Sequence, residues 1–406
     1  MIVTIERVGH RGDGIAPGPG GPVFVPRTLP GEVVEGIFDG RQLRAPRIVS
    51  PSPHRVTPPC PHARTCGGCL MQHAGDGFVA GWKQGIIAQA LAAQGLEAPL
   101  RPLVTSPARS RRRATLAGRR TRSGAMVGFH ARGSHALVDG PRCILLHPDL
   151  MAARPALADL VAAGAARGAE IALSVTRTEG GADVAVTGGK PLDPVLAQAL
   201  ARIAEERRLA RLTWDGEPAA LRAPPVQRFG AARVLPPPGA FLQATEQGEA
   251  ALLDAVREGV GGARRIADLF AGSGTFALPL AERAEIRAVE GDAAMTAALD
   301  QGWRAAGGLH RVTAETRDLF RRPLGPDELR GIEAVVIDPP RAGAEAQVAA
   351  IARSTVPVVV HASCDPASFA REARTLVRAG FALDWVQGVD QFRWSPHVEL
   401  VARFSR

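Results

Sequence analysis

The chain has 406 residues, 46% of them hydrophobic and 22% charged, which is enough for two or three domains that each bury a core. It opens without a secretory signal and has no uncharged apolar run of the ~18 residues that cross a bilayer, so we expect a cytoplasmic monomer without a membrane partner. The formal net charge is +9, and only two of the 49 Lys and Arg residues are lysine. Guanidinium groups suit phosphates, although a GC-rich genome produces the same bias.

The front of the chain combines short strand patterns with a group of cysteines. Residues 1–50 are rich in Gly and Pro around short apolar stretches such as Val33-Val34-Glu35-Gly36-Ile37, which predicts a small β-barrel. A proline-rich linker at 51–61 leads to Cys60, Cys66 and Cys69, with Cys143 further on. Four thiols favour an iron–sulfur cluster or zinc. Three nearby histidines keep zinc open, namely His62, His73 and His147.

Residues 80–96 carry apolar side chains at helical spacing, and the segment that follows them is basic and contains no acidic residues. Residues 98–138 contain no Asp or Glu but nine arginines: Arg101, Arg109, Arg111, Arg112, Arg113, Arg119, Arg120, Arg122 and Arg132. Solvated charged surfaces usually mix both signs, so this segment predicts a nucleic-acid-binding surface, with a basic surface that binds nothing as the alternative. Residues 110–145 alternate like strands, and 149–222 mix short helices and strands.

Regular alternation of strands and helices begins after residue 239. Strands are predicted at 266–270, 286–290, 312–315, 333–338, 356–361, 381–387 and 397–404. Helices are predicted from the glycine turn to about 283, up to about 307, at 344–354 and at 366–379. This order predicts an α/β domain with a doubly wound parallel sheet.

A glycine turn closes the first of these strands. Gly272 and Gly274 let backbone approach a ligand, and Glu290 at the end of the second strand can accept hydrogen bonds from ribose hydroxyls. The turn lacks a third glycine at dinucleotide spacing and a Gly-Lys-Ser/Thr, which disfavours pyrophosphate and triphosphate ligands. A nucleoside-type cofactor remains, S-adenosylmethionine being the commonest, with Asp318 placed to meet the adenine amino group. A turn that only packs a helix on a strand is the alternative.

A lone thiol follows the fifth strand of this sheet. Cys364 lies at the same edge as the cofactor turn and as Asp338-Pro339-Pro340-Arg341. The helix starting near Pro366, together with Arg341, is expected to favour the nucleophilic thiolate. The alternative is a buried small apolar residue. Glu399, at the start of the last strand, is either a paired carboxylate or a base with a raised pKa.

These motifs in this order give the chain a family resemblance. Cys60-x5-Cys66-x2-Cys69 with Cys143, Phe241-Leu242-Gln243, the glycine turn, Asp338-Pro339-Pro340-Arg341, Ser363-Cys364-Asp365-Pro366 and His397-Val398-Glu399 all occur. The chain resembles the S-adenosylmethionine-dependent uracil-5 RNA methyltransferases, in the iron–sulfur branch that acts on 23S ribosomal RNA. Gly31-Glu32-Val33 of the front barrel is similar to a TRAM domain.

The resemblance implies three domains. These are an OB-like TRAM barrel at 1–50, a cluster-bearing α+β domain at 51–73 and 105–238, and a Rossmann-like class I methyltransferase domain at 74–104 and 239–406. It implies that Cys364 is the nucleophile, that Glu399 is the proton acceptor, and that Cys60, Cys66, Cys69 and Cys143 hold a [4Fe-4S] cluster.

The resemblance further implies that Gln243, Phe270, Thr275, Glu290, Asp318 and Asp338 line the cofactor and target site. Some relatives carry Tyr at the position of Phe270 and Asn at that of Thr275. The expected product is 5-methyluridine, formed in RNA bound by Phe241 and the arginine segment. A transfer-RNA substrate, an amine N-methyltransferase and a non-enzymatic RNA-binding protein are the alternatives.

Overall fold

The computed structural model describes residues 1–122 and 124–406. Its first part is a six-stranded sheet with the strand order β1-β5-β6-β4-β3-β2. The strands are β1 (Ile2–Thr4), β2 (Arg7–Val8), β3 (Gly14–Gly18), β4 (Gly21–Val25), β5 (Val33–Asp39) and β6 (Gln42–Ser50). The continuous segment 2–8 pairs with β5 through β1 and with β3 through β2, so the sheet curls around a small core that includes Val3, Val34 and Leu43. The likeness to a TRAM domain stays a prediction.

A helix and a strand then run alongside the last part of the chain. Helix α1 (Asp76–Ala92) buries Val79, Lys83, Ile87 and Leu91, which lie one turn apart on a single face. Strand β7 (Leu100–Thr105) follows and pairs in parallel with residues 386–390 near the C-terminus. A lysine on an otherwise apolar helix face needs a buried partner.

The central region is a seven-stranded sheet covered by helices. Its elements are β8 (Arg113–Arg120), β9 (Ala125–His130), β10 (Leu137–Asp139), α2 (Pro148–Ala152), α3 (Arg154–Gly164), β11 (Glu170–Thr178), β12 (Gly181–Thr187), α4 (Pro194–Glu206), β13 (Arg211–Trp214) and β14 (Glu217–Leu221). The order is β10-β9-β8-β11-β12-β13-β14. On β8, Ala114 and Leu116 face the core while Arg113 and Arg119 lie on the other face, as period-2 alternation requires. A hairpin of β15 (Gln227–Phe229) and β16 (Ala232–Val234) follows.

The last part of the chain forms an eight-stranded sheet with helices on both faces. Its elements are α5 (Glu246–Val260), β17 (Arg265–Leu269), α6 (Ala277–Leu280), β18 (Glu285–Glu290), α7 (Ala293–Ala305), β19 (Val312–Thr316), β20 (Ala334–Ile337), α8 (Glu345–Arg353), β21 (Val358–Ser363), α9 (Pro366–Arg378), β22 (Ala382–Asp390) and β23 (Glu399–Ser405). The order is β19-β18-β17-β20-β21-β23-β22-β7. This architecture confirms the predicted α/β class.

Two details differ from the sequence-based expectation. Strand β23 runs antiparallel to both β21 and β22, so the sheet is mixed, with parallel pairing from β19 to β21 and again between β22 and β7. The helix after the glycine turn, predicted to reach residue 283, is the four-residue α6. Pro279 lies inside α6, and proline supplies no backbone N–H for a longer helix.

The core of this sheet lies on both of its faces. On β17 and β20, Ile266 and Val336 contribute to one apolar cluster, while Leu269 and Ile337 contribute to the other. Strands that are buried on both faces have largely apolar sequences, which is why their positions could be predicted from the sequence. Within the described residues, no helix has the length and apolarity that crossing a membrane requires.

Candidate active site

A cavity of about 510 Å³ lies at the carboxyl ends of the parallel strands. Loops after parallel strands open at one edge of a sheet, and this edge is where ligands bind in such folds. The cavity brings together Phe241, Gln243, Phe270, Gly272, Glu290, Asp318, Asp338, Cys364 and Glu399, all of which are candidates from the sequence. Met295, Leu319, Phe320, Arg341 and Phe392 complete most of the remaining wall.

The glycine turn presents open backbone to one end of this cavity. Gly272 has φ +57°, and a Cβ added there would meet nothing within 4 Å, so the backbone stays accessible. Glu290 is fixed beside it, because its two carboxylate oxygens accept hydrogen bonds from the amides of Gly272 (2.9 Å) and Asp292 (2.8 Å). Asp318 accepts a bond from the amide of Phe320 (2.9 Å). Two anchored carboxylates beside apolar side chains fit a nucleoside cofactor.

Gly274 and Thr275 do not line the cavity. A Cβ at Gly274 would approach Leu278 to 2.7 Å, and the residue has φ +98°, so this glycine serves close packing and the turn. The packing alternative therefore describes Gly274, while Gly272 faces the ligand space.

Cys364 sits between β21 and α9, and the Asp365 carboxylate caps that helix by accepting hydrogen bonds from the amides of Ala367 (3.0 Å) and Ser368 (2.8 Å). Burial raises the pKa of the Cys364 thiol to about 11, and the carboxylates of Glu399 and Asp338 add to this rise. Arg341 acts in the opposite direction but does not outweigh them. The expectation that its surroundings favour the thiolate is therefore wrong.

Glu399 is the first residue of β23 and is 6% exposed. Burial, and next the nearby Asp338, raise the pKa of the Glu399 carboxyl to about 8. Burial also raises the pKa of Asp338 to about 6. Of the two alternatives for Glu399, the structure has the carboxyl with a raised pKa, as suits a group that exchanges a proton near neutral pH.

Sequence reasoning missed Gln391, which joins two candidate residues. Its amide nitrogen donates to the side-chain oxygen of Gln243 (2.5 Å) and to the Glu399 carboxylate. Its amide oxygen accepts from the backbone of Ala244 (2.7 Å). Gln391 follows the end of β22, but no local pattern marks it, because its role depends on contacts with distant parts of the chain.

The arginine segment contains no acidic residues, but the fold places carboxylates from other parts of the chain beside it. Arg112 is 5% exposed, donates to the Gln243 carbonyl (3.1 Å) and pairs with Glu249, so it is not an RNA-facing residue and that prediction is corrected. Carboxylates from elsewhere in the chain neutralise three more arginines, in the pairs Arg101–Glu258, Arg119–Glu170 and Arg132–Asp13. Arg109, Arg120 and Arg122 are exposed.

A second cavity, also about 510 Å³, adjoins the first and shares Phe241, Arg341 and Phe392 with it. Its walls carry the arginines Arg111, Arg113, Arg341 and Arg393 together with the rings of Phe129, Phe241 and Phe392. The Arg113 guanidinium lies 5.0 Å from the centre of the Phe241 ring, and Phe241 is 57% exposed. Cationic and aromatic groups in one groove suit a single nucleic-acid strand.

The four front cysteines line one further cavity, which is mostly apolar, and all four are free. His62 also borders it, with Nδ1 3.6 Å from the Cys60 sulfur. His73 is instead buried near Arg55 and Glu32, and His147 caps α2 by accepting from the Asp149 amide (3.1 Å). Across residues 1–122 and 124–406, no three His, Cys, Asp or Glu side chains form a group that could hold a metal ion.

The fold and this cavity define an S-adenosylmethionine-dependent methyltransferase. Sequence comparison finds an uncharacterised RNA methyltransferase of Caulobacter vibrioides, 43% identical over 414 residues and covering 100% of this chain and 99% of that protein. The 23S rRNA (uracil(1939)-C(5))-methyltransferase RlmD of Chromohalobacter salexigens is 34% identical over 435 residues, covering 100% and 89%. The chain therefore belongs to this family of RNA methyltransferases, which includes uracil-C5 enzymes.

Comparison of folds gives a similar result. The tRNA (uracil-54, C5)-methyltransferase of Pyrococcus abyssi, solved with S-adenosyl-L-homocysteine, superposes with a TM-score of 0.77 at 21% identity and covers 100% of this chain and 99% of that one. The similarity extends over the whole chain and confirms the methyltransferase fold. No protein-family model matches the sequence.

Proposed function

We propose that the protein methylates C5 of a uridine in RNA, with Cys364 as nucleophile and Glu399 as base. The observation that carries this proposal is one cavity that holds the thiol, the carboxyl groups of Asp338 and Glu399, and Gly272 of the glycine turn. Methyltransferases that act on exocyclic amines need no nucleophile. A thiol beside a proton acceptor with a pKa of about 8 suits carbon methylation instead.

Uracil C5 is a weak nucleophile, and Cys364 overcomes this by giving up its thiol proton to the solvent and adding to C6 as the thiolate. The new Sγ–C6 bond moves an electron pair into the ring, which becomes an enolate with charge at C5. S-adenosylmethionine, when bound, supplies the methyl group that C5 takes up. Glu399 then removes the C5 proton, the Sγ–C6 bond breaks, and the thiolate leaves with the electron pair, which restores the ring.

The proposed cofactor position rests on Gly272, Glu290 and Asp318, with Phe270 and Phe320 as the apolar wall. The Phe270 and Phe320 rings contact each other with centroids 5.4 Å apart. Asp338 lies near Cys364 and Glu399, since its charge raises the pKa of both groups. We assign Asp338 and Gln243 to the polar edge of the uracil.

We propose that RNA enters through the groove beside the catalytic cavity. A base inside a duplex is unreachable, so the target uridine must be unpaired or flipped out, at a cost of a few kcal/mol. Stacking on Phe241 offsets about 1–3 kcal/mol of this cost. Ribosomal 23S RNA is the favoured substrate, since a relative that matches 100% of this chain is named for that reaction.

We propose that Cys60, Cys66, Cys69 and Cys143 hold a [4Fe-4S] cluster. All four line one cavity, and four thiolates are the usual ligands of such a cluster; since the four side chains do not form a metal-holding group as they stand, cluster binding would have to draw their sulfurs together. The methyl transfer moves no net electrons, so the role of the cluster is structural. We keep the domain division proposed from the sequence, with residues 1–50 as an RNA-binding barrel.

The test is methylation of defined RNA by the purified protein. Unmodified 23S rRNA and tRNA transcripts are incubated with labelled S-adenosylmethionine, and the product nucleoside is mapped by mass spectrometry. We expect 5-methyluridine at one position of 23S rRNA, none with Cys364→Ala, and a denaturation-stable RNA adduct with Glu399→Gln. A methylated amine, or an active Cys364→Ala variant, would contradict the proposal.

A further inference from the structure

A buried lysine lies behind the catalytic base. Lys83, on the apolar face of α1, is 0% exposed, and its Nζ lies 2.6 Å from Asp390 Oδ1, where Asp390 is 1% exposed. The same ammonium donates to the carbonyl oxygens of Phe392 (3.3 Å) and His397 (2.8 Å). Its three N–H groups therefore have three acceptors, all within residues 390–397.

These acceptors belong to the segment 390–398, which we call the base loop because it leads directly into Glu399. The loop carries Gln391, which donates to both Gln243 and Glu399, and Phe392, which lines the catalytic cavity. It crosses from β22 to β23 without regular structure. Its geometry thus depends on the groups that bind its backbone.

The presence of a lysine rather than an arginine at position 83 is informative. Lys83 is one of two lysines against 47 arginines, so arginine fills nearly every other basic position. A compact ammonium can direct three donors at three acceptors around one atom, whereas a planar guanidinium fork cannot. A buried ion pair is a weak source of stability, and an apolar pair would pack as well. The need for three donors accounts for this lysine.

We propose that Lys83, with Asp390, is a positioning residue that holds the base loop and thereby sets the placement of Gln391 and Glu399 at the active site. This inference rests on the proposed function and names residues that touch neither substrate nor cofactor. Two further contacts fix the same loop: Trp394 O accepts from the amides of Leu70 (2.8 Å) and Met71 (2.9 Å), and Arg393 pairs with Asp76 (2.5 Å).

The test uses the full-length protein and the double variant Lys83→Met/Asp390→Asn, which removes both charges and leaves neither one buried alone. Asn keeps the acceptor for the Phe392 amide, which Asp390 Oδ1 binds at 3.0 Å. We expect kcat to fall about 100-fold, as for a small misplacement of a reacting group, with little change in KM for RNA or in Kd for S-adenosylmethionine. The covalent RNA adduct accumulates, because its breakdown needs Glu399. Lys190→Met is the matched control and keeps wild-type kcat.

Hydrogen exchange of the free protein separates this inference from the proposed function. The backbone amides of residues 391–398, apart from Pro396, should exchange faster in the double variant than in the wild type. In Lys190→Met they should exchange at the wild-type rate, and both results are expected whether or not the wild type methylates RNA. A wild type that makes no 5-methyluridine would refute the proposed function and leave the exchange result to decide on Lys83. Wild-type kcat in the folded double variant, or wild-type exchange, would overturn the inference. Lys83→Arg, which keeps the charge, gives a second variant, and an undiminished kcat there would also overturn it.

Discussion

Three ionisable side chains share one desolvated pocket, and their effects on each other control its chemistry. Asp338 raises the pKa of both Cys364 and Glu399, and Glu399 raises that of Cys364. Burial is the largest cause in each case. Burial and the repulsion between these groups therefore keep them protonated to higher pH than usual, as is common at functional sites.

The first prediction concerns the stability of Glu399→Gln as pH changes. The folded pKa of about 8 lies above the ordinary value of 4.5, so the unfolded chain releases this proton first. Wild-type stability is therefore full below pH ~4.5 and falls as pH rises toward ~8. Glutamine does not titrate, so the variant should gain ~1–3 kcal/mol over wild type by pH 8. Denaturant unfolding at pH 5 and pH 8 measures this difference.

The exposed Glu97→Gln is the control for this change and should show no pH-dependent gain. A Glu399→Gln variant whose stability tracks wild type at both pH values would show that Glu399 ionises normally.

The second prediction separates the two ends of the catalytic cavity. Phe241 and Phe320 are similarly exposed, at 57% and 51%, and both line it. Phe241 faces the RNA groove and Phe320 contacts Phe270 beside the glycine turn. Phe241→Ala should weaken RNA binding by ~1–3 kcal/mol and leave cofactor affinity unchanged. Phe320→Ala should weaken cofactor binding only. Calorimetry for the cofactor and filter binding for RNA distinguish these outcomes, and equal effects on both ligands would refute the assignment.

At the scale of elements, a helix and a turn next to site residues are tied together by a buried carboxylate. His361 on β21 lies with Nε2 2.9 Å from the Glu372 carboxylate of α9 without forming a hydrogen bond to it, and both are buried. The other oxygen of Glu372 accepts from the amide of Ala344, just before α8. Glu372 therefore ties helix α9, which follows Cys364, to the turn after β20, which carries Asp338 and Arg341.

The third prediction is that Glu372→Ala destabilises the protein by ~1–3 kcal/mol, because it leaves the buried Ala344 amide without an acceptor. Glu372→Gln retains an acceptor and should restore most of the loss. The exposed Glu345→Ala, on α8, is the matched control and should change stability little. Urea denaturation measures all three variants. Equal losses for Glu372→Ala and Glu345→Ala would show that the tie contributes nothing.

The sequence predicted elements well where the signal was local. Strands β20 and β21 contain short apolar runs, and Gly272, Glu290, Asp338 and Cys364 lie at or just after strand ends at one sheet edge. The pairing of β7 with β22 joins segments almost 300 residues apart, and no local pattern encodes it. The contacts of Gln391 and Lys83 could not be predicted from the sequence for the same reason. Each looks ordinary in sequence and acquires its role through contacts with distant parts of the chain.

At the scale of the whole molecule, the charge of a surface depends on which residues the fold brings together and not only on their order in the sequence. The acid-free arginine segment meets carboxylates from the first sheet, from β11 and from α5, so four of its nine arginines are paired. The other five arginines of the segment divide between two places: Arg111 and Arg113 line the groove with Arg341 from a distant part of the chain, while Arg109, Arg120 and Arg122 are exposed elsewhere. Electrostatic attraction of RNA toward the catalytic cavity follows from this assembled surface, and the linear segment alone does not explain it.

Backbone hydrogen bonds and one arginine side chain link the region of the cysteine cavity to that of the catalytic cavity. Leu70 and Met71, directly after Cys69, donate to Trp394 in the base loop. Arg111 lies between the two regions, since Cys69, Cys143 and Glu399 all act on its charge, and its guanidinium is 5.2 Å from the Phe392 ring. Order in the cysteine segment therefore stabilises the base loop.

The fourth prediction compares two cysteine substitutions in anaerobically purified protein. Cys60→Ser should lose the brown colour of the cluster, lower the melting temperature and weaken RNA binding about tenfold, or ~1.4 kcal/mol, because the groove loses its support. Cofactor affinity should not change, since the cysteine cavity shares no lining residue with the cavity that holds the glycine turn. Cys364→Ser should keep the colour, the melting temperature and RNA binding while losing methylation. Absorbance, iron content and thermal unfolding measure these effects. Colourless wild-type protein with one zinc per chain would refute the cluster, and unchanged RNA binding in Cys60→Ser would show that the cysteine segment does not support the groove.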